Sequence, residues 1–115
     1  MGILSSFFNG NQVNNLNAKL FEEKIKLTQN TVILDVRTSE EYLSGRIPNS
    51  ILIDIYKPDF LTNIEKLDRS KNYFVYCHSG GRSYSAVSQM MKMGFKNVYN
   101  LEYGIKSWQG DIERG

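Results

Sequence analysis

Short apolar runs alternate along this chain with segments in which apolar residues recur at helical spacing. Continuous runs at residues 31–36 and 73–76 predict buried strands, because a strand of a parallel sheet is covered on both faces. Shorter runs at residues 51–55 and 98–101 predict two more strands. Strands that alternate with helices are typical of an α/β fold, so we predict a mainly parallel sheet with helices on both faces.

Capping residues and apolar spacing predict the helices. Asn17 is the expected N-cap of the first helix, and Leu16 and Phe21 form a hydrophobic staple across its start. The residues expected to face inward from this helix are Leu20, Phe21 and Ile25.

Four further helical segments follow. Thr38 and Glu41 form a capping box for a short helix that Gly45 ends. Apolar spacing predicts helices over residues 59–67 and 83–94 and a last turn over residues 105–109. The residues expected to face inward from the helix at 59–67 are Phe60, Leu61, Ile64 and Leu67.

The length of 115 residues is near the commonest size of one domain. We predict a flexible arm over residues 1–11 and a single domain over residues 12–115. No apolar run approaches the roughly 18 residues of a membrane span. A net charge of +2 gives no argument for nucleic acid as a partner. No export signal is visible, so the expected location is the reducing cytoplasm.

Charged residues are unevenly distributed along the chain, and their distribution draws attention to one segment. The segment between Asp68 and Glu102 contains five basic residues and no acidic one, and it holds the only cysteine and the only histidine. Positive surroundings favour a thiolate and attract small anions. One cysteine excludes an internal disulfide, and one histidine excludes a multi-histidine metal cluster.

The segment from Cys77 to Ser83 lies between a predicted strand and a predicted helix. Cys77 therefore lies at the carboxyl edge of the sheet, where parallel α/β folds bind ligands. Gly80 and Gly81 let the backbone turn its N–H groups inward, and the helix N-terminus adds to this anion cradle. A lone cysteine is most often a small buried hydrophobe, but these neighbours favour a reactive thiolate. Ser79 completes the loop.

The other side chains of this loop leave alternatives open. Arg82 either clamps an anionic substrate or holds the loop shut through carboxylates and carbonyls. Ser83 is the expected helix N-cap. Its hydroxyl either only caps the helix or also faces the sulfur. His78 directly follows the cysteine and is expected to point away from it into solvent, so we do not assign it as a general base.

Three separated pieces of the chain resemble single-domain rhodaneses, which are thiosulfate sulfurtransferase-like modules. The matching segments are residues 34–37 with 40–42 and 45–50, residues 77–83, and residues 101–105 with Trp108. Their order and spacing cover most of residues 12–110. The resemblance implies a five-stranded, mainly parallel sheet flanked by helices.

The resemblance also implies a reaction. Cys77 would attack the outer sulfur of a donor such as thiosulfate, sulfite would leave, and Cys77 would become a persulfide. Backbone donors of residues 78–83 would surround the sulfur. The implied partners are a small anionic sulfur donor and an acceptor, which is cyanide, a thiol or a sulfur-relay protein. No metal or organic cofactor is implied, and the expected state is a monomer or weak homodimer.

The resemblance also implies roles for two supporting residues, and the chain differs from the common family pattern at two positions. Asp35 is expected to be a structural anchor, whereas Arg37 either helps bind anions or pairs with an acid such as Glu40 or Glu41. Tyr103 precedes Gly104 where many members have two glycines, which would change the rim of the pocket. Arg46 replaces a common histidine and would add positive charge near the entrance.

Two rival functions remain open. Cysteine phosphatases and arsenate reductases place five residues between nucleophile and arginine, whereas four separate Cys77 from Arg82. The shorter loop predicts a narrower cradle that suits one sulfur better than a phosphate. The second rival is a non-catalytic sulfur carrier or a regulatory binding module.

Overall fold

A five-stranded sheet forms the centre of the computed structural model, which describes residues 12–115. The strands are β1 (Asn14–Leu16), β2 (Thr31–Asp35), β3 (Ser50–Leu52), β4 (Asn72–Tyr76) and β5 (Val98–Leu101). Their order is β1-β5-β4-β2-β3, and every neighbouring pair is parallel. The predicted α/β class is confirmed. The arm predicted over residues 1–11 lies outside the described residues.

Helices cover both faces of the sheet. They are α1 (Ala18–Leu27), α2 (Ser39–Ser44), α3 (Phe60–Glu65), α4 (Gly81–Lys92) and a 3₁₀ helix (Ile105–Ser107). One apolar cluster joins α3 and α4 to alternate residues of β4, including Tyr73 and Val75. The other joins α1 and the 3₁₀ helix to Phe74 and Tyr76. Successive strand residues point to opposite faces, so β4 serves both clusters.

The predicted caps are present. Asn17 accepts a hydrogen bond from the Leu20 N–H at 3.0 Å, and Thr38 with Glu41 forms the capping box that begins α2. The inward positions were wrong for Leu20 and Leu61, which are 49% and 48% exposed. Each of these leucines lies outside the stripe of helix residues that packs on the sheet. In α1 the centre of that stripe is Phe21.

Strand β1 was not predicted. It is three residues long, begins with two asparagines and lies at the sheet edge, where it pairs only with β5. Its pairing brings the first described residues beside Leu101, where the chain leaves the sheet. Within residues 12–115, no helix has the length and apolar content that a membrane crossing requires.

Candidate active site

Cys77 lies directly after β4, at the carboxyl edge of the sheet, and its residue surface is only 1% exposed. Its Sγ accepts hydrogen bonds from the Gly80 N–H at 3.1 Å and the Ser83 N–H at 3.4 Å. The Ser83 hydroxyl donates a third, at 3.3 Å. Main chain and side chain therefore both direct protons at one sulfur atom.

These donors determine the charge state that the sulfur prefers. Burial raises the pKa of the Cys77 thiol, because the charged form loses its water. The Ser83 hydroxyl and the N–H groups of Ser83, Gly80 and Ser79 lower that pKa by more, so it lies below its ordinary value. The arrangement therefore favours a thiolate, which is the nucleophilic form of cysteine.

The carbonyl groups of the loop point away from the sulfur. The Cys77 carbonyl accepts from the Ile105 N–H at 2.9 Å, and the His78 carbonyl accepts from the Lys106 N–H at 3.2 Å. Both donors belong to the 3₁₀ helix that follows β5. Because this segment binds the loop carbonyls on the outside, the intervening N–H groups are free to face inward.

Two glycines allow this close approach of backbones. Gly80 has φ of +104° and lies against the Glu102 carbonyl, and Gly104 has φ of +73° and lies against the His78 carbonyl. Any side chain at either position would collide with main chain as well as strain the backbone. Gly104 is thus needed at its position, although a tyrosine precedes it.

The predicted N-cap of α4 was wrong. Gly80, not Ser83, precedes the first helical residue, so Ser83 lies within the first turn and is fully buried. Its hydroxyl donates to Sγ at 3.3 Å and also lies 3.3 Å from the Gly80 carbonyl. Of the two alternatives for Ser83, the structure therefore supports a contact with the sulfur.

Gly80→Ala is expected to unfold the loop locally and lower the free energy of unfolding by more than about 2 kcal/mol. The new Cβ would lie 1.9 Å from the Glu102 carbonyl oxygen, at a positive φ. Gly81→Ala is the matched control, because its Cβ meets nothing within 4 Å. Urea unfolding of both variants measures the difference, and equal stabilities would contradict the close packing described here.

Arg82 does not reach across the cradle. Its Nη1 and Nη2 bind the two carboxylate oxygens of Glu41 at 2.8 and 2.9 Å, and its guanidinium lies over the Tyr56 ring. This two-pronged contact matches the interpretation that Arg82 holds the loop through a carboxylate. The charge of Cys77 contributes to the raised pKa of Arg82, after the larger effect of Glu41, so the guanidinium in turn favours the thiolate.

The Arg82–Glu41 contact predicts a loss of stability in acid. The Arg82 hydrogen bond lowers the pKa of Glu41 to about 2, below its usual value near 4.5. The stabilisation is therefore complete above about pH 4.5 and is lost as the pH falls towards 2. Thermal unfolding of the wild type and of Glu41→Gln should differ at pH 6 and converge near pH 2. A constant difference across that range would contradict the prediction.

Asp35 and Arg37 form a buried pair beneath the loop. Arg37 Nη2 binds Asp35 Oδ2 at 2.7 Å and the Gly45 carbonyl at 2.7 Å. Burial lowers the pKa of Arg37, but the hydrogen bond and charge of Asp35 raise it by more. Arg37 is 3% exposed and pairs with an acid, which is one of its two expected roles, but the acid is Asp35 rather than Glu40 or Glu41.

Tyr76 connects this pair to the nucleophile. Its hydroxyl donates to Asp35 Oδ2 at 2.7 Å, accepts from the Ile47 N–H at 3.1 Å, and lies 3.1 Å from Ser50 Oγ. Burial, followed by the charge of Asp35, raises the pKa of Tyr76, so the hydroxyl keeps its proton. Asp35 thus anchors the end of β4 immediately before Cys77.

Comparison with known protein families decides the assignment. A model of the rhodanese-like domain family matches residues 16–111, which include strands β2 to β5, the Cys77 loop and the 3₁₀ helix. The chain belongs to the rhodanese-like domain family. The predicted resemblance is confirmed.

Individual relatives are consistent with this membership. The chain is 34% identical over 82 residues to the thiosulfate sulfurtransferase GlpE of Pseudomonas savastanoi, covering 70% of this chain and 74% of that protein. It is 32% identical over 105 residues to YrkF of Bacillus subtilis, provisionally named a sulfur carrier protein; this covers 91% of the chain but 56% of YrkF. The crystal structure of a rhodanese-like domain protein from Staphylococcus aureus superimposes with a TM-score of 0.77 at 26% identity, covering 90% of this chain and 99% of that one. These findings support sulfur transfer as the general chemistry of this rhodanese-like domain.

Of the remaining predicted residues of this rhodanese-like site, three are exposed and Trp108 packs against an aromatic ring. His78 and Ser79 are exposed, and Tyr103 is 55% exposed. Trp108 packs edge-on against Phe21 and donates to the Asp111 carbonyl, so packing explains it.

Arg46, which was expected to add positive charge near the entrance, is paired with an acid in the structure. Its Nε lies 3.3 Å from a Glu113 carboxylate oxygen, and its guanidinium also contacts the ring and carbonyl of Tyr42. The backbones of Arg46 and Glu113 pair as an antiparallel bridge. The arginine therefore holds the segment around Glu113, and that carboxylate faces its charge.

Sequence reasoning missed two parts of this rhodanese-like site. Glu41 was recognised as a capping residue but not as the partner of Arg82, which is 41 positions away. Tyr76 was interpreted as strand core, yet its hydroxyl bonds to Asp35. The parallel register that sets Asp35 beside Tyr76 was the necessary signal, and hydropathy does not contain it.

Proposed function

We propose that this rhodanese-like domain is a sulfurtransferase in which Cys77 carries the sulfur as a persulfide. The observation that carries the proposal is the set of donors from Gly80 and Ser83 on a thiol whose pKa lies below its ordinary value. The donor is a small anion with an exposed sulfane sulfur, such as thiosulfate or a persulfide. The acceptor is a thiol, a sulfur-relay protein or, in an assay, cyanide.

The first half-reaction begins with the Cys77 thiolate. Its electron pair forms a bond to the outer sulfur of thiosulfate, and the sulfur–sulfur bond of the donor breaks, so sulfite leaves with that bonding pair. The N–H groups of Gly81 and Arg82 are the first two of α4 and have no carbonyl partner within the helix. They are available to the anionic donor or leaving group.

The second half-reaction returns the enzyme to its starting state. A nucleophilic acceptor bonds to the outer sulfur of the persulfide, and the Cys77 thiolate leaves. The donors from Gly80 and Ser83 stabilise the departing thiolate, as they stabilise the resting one. No proton has to move at the sulfur in either half, so the exposed His78 has no required role.

Mass spectrometry tests the proposal directly. Incubation with thiosulfate should add one sulfur atom, about 32 Da, to the intact chain, and cyanide should remove it and yield thiocyanate. A chain that stays at its unmodified mass with thiosulfate, mercaptopyruvate and glutathione persulfide would overturn the proposal. Cys77 is the only cysteine, so any added sulfur has one assignable position.

The carrier alternative is favoured by one specific observation, the provisional name of YrkF. A carrier would accept sulfur on Cys77 but deliver it only to a protein partner. Loading that occurs without multiple turnovers on cyanide or small thiols would favour this alternative.

The phosphatase alternative is opposed by the four-residue spacing and by the Arg82 fork, whose two Nη atoms are bound to Glu41. Hydrolysis of an aryl phosphate with no reaction at thiosulfate would reverse this conclusion.

A further inference from the structure

Asn100 is a buried polar residue on β5 that the proposed chemistry does not use. It is 1% exposed, and its Nδ2 donates to Asn15 Oδ1 at 2.8 Å and to the Gly80 carbonyl at 3.4 Å. Its Oδ1 is also buried and accepts no hydrogen bond from the described residues. A buried acceptor without a donor costs free energy, so this amide is an unfavourable choice for packing alone.

The orientation of the Asn100 amide follows from its neighbours. The Gly80 carbonyl can only accept, so the group that faces it must be the NH₂. The opposite orientation would place Oδ1 against the Gly80 carbonyl and leave the buried NH₂ without an acceptor. The side chain is therefore held with its donor towards the active-site loop and its unpaired oxygen away from it.

Gly80 is the residue through which Asn100 reaches the sulfur. The Gly80 N–H donates to Cys77 Sγ at 3.1 Å, and its carbonyl is the group that Asn100 binds. The Gly80 carbonyl shares a rigid peptide plane with the Gly81 N–H, and this plane meets the plane of the Gly80 N–H at one Cα with a left-handed φ. A flip of the carbonyl would therefore turn the Gly81 N–H and disturb the loop on both sides of that Cα. The Glu102 carbonyl lies against that Cα from the other side.

The bond from Asn100 adds to the hydrogen bonds that loop carbonyls accept from neighbouring elements. The carbonyls of Cys77 and His78 are bound by N–H groups of the 3₁₀ helix, and the Gly80 carbonyl is bound by the Tyr84 N–H within α4. Asn100 adds a donor from the sheet itself and connects the loop to β1 through Asn15. The cradle is thus attached to the edge strand as well as to its own helix.

We propose that Asn100 is a positioning residue that holds the Gly80 carbonyl outward and so keeps the loop N–H groups directed at the Cys77 sulfur. Asn15 orients it from β1. The consequence for sulfur transfer rests on the proposed function, whereas the consequence for the thiol does not.

Titration of the single thiol tests the proposal without any substrate. Thiolate absorbance at 240 nm is measured against pH for the wild type, Asn100→Leu, Asn15→Ala and Asn14→Ala. Leucine has the same number and branching of side-chain heavy atoms as asparagine, although it is bulkier, and it removes the unpaired oxygen, so Asn100→Leu should fold while losing the donor. Asn15 and Asn14 are both exposed on β1, and the side chain of Asn14 donates to Val98, not to Asn100, so Asn14→Ala is the matched control.

We expect the titration midpoint to rise by roughly half to one pH unit in Asn100→Leu, because a weakened N–H contact favours the neutral thiol. Asn15→Ala should raise it by less, and Asn14→Ala should leave it unchanged. None of the three variants alters a net charge, so the shift cannot come from the gain or loss of a charged group.

A folded Asn100→Leu with the wild-type midpoint would overturn the proposal. If that variant fails to fold, Asn15→Ala decides: an unchanged midpoint overturns the proposal, and a raised one supports it. The wild type could fail to accept sulfur from every donor while these titrations behave as expected. That outcome would reject the proposed function and leave the positioning role of Asn100 intact.

Discussion

Cys77→Ser is expected to lower the sulfur-transfer rate by more than about a thousandfold, because a hydroxyl is neither ionised by this cradle nor able to form a persulfide. The fold should remain, since a serine oxygen accepts hydrogen bonds from the same Gly80 and Ser83 N–H groups. Sulfite release from thiosulfate with cyanide measures the first effect. Thermal unfolding measures the second, with a change within about 1 kcal/mol expected.

Ser83→Ala is the graded comparison for that experiment. It keeps the nucleophile and the Ser83 N–H but removes the hydroxyl that donates to Sγ at 3.3 Å. Its rate should fall between those of the wild type and Cys77→Ser, by roughly tenfold to a hundredfold at neutral pH. Turnover that survives in Cys77→Ser would show that the sulfur passes through some other group.

The largest expected effect on stability comes from Arg37→Ala, which should lower the free energy of unfolding by about 3–5 kcal/mol. The substitution leaves the fully buried Asp35 carboxylate with the Tyr76 hydroxyl and the Arg37 N–H but no neutralising charge. It also removes the donor that holds the Gly45 carbonyl.

Lys26→Ala is the control for that experiment, because it also removes a cation from an ion pair. The Lys26 side chain is 71% exposed and its contact with Glu22 measures 3.5 Å, so the loss should stay below about 1 kcal/mol. Urea unfolding of both variants provides the comparison. Similar losses would mean that the buried pair contributes little beyond an exposed one.

Local signals in the sequence predicted the elements well, because their causes lie within a few residues. The Asn17 cap, the Thr38–Glu41 box and the apolar strand runs each depend on spacings of at most four or five positions. The start of α4 was misplaced for a related reason. Serine is the commoner cap, but here a glycine in a left-handed conformation precedes the helix and frees Ser83 for the sulfur.

The parts that sequence did not predict depend on register between distant strands. Asp35 lies beside Tyr76 because β2 and β4 pair in parallel, and Asn100 reaches the loop because β5 lies between β1 and β4. Hydropathy gives the order of elements but not which residue of one strand lies opposite which residue of the next. Contacts such as Arg82 with Glu41 therefore appear only after the chain is folded.

The recessed position of Cys77 governs what oxidation can do to this domain. A disulfide between two copies would require their Cα atoms to come within about 7 Å, which a sulfur in a 1% exposed residue does not permit without opening the loop. The chain also has no second thiol that could displace the bound sulfur. If Cys77 carries sulfur as proposed, no other thiol of this chain can discharge it, and the moment of release then depends on the arriving acceptor.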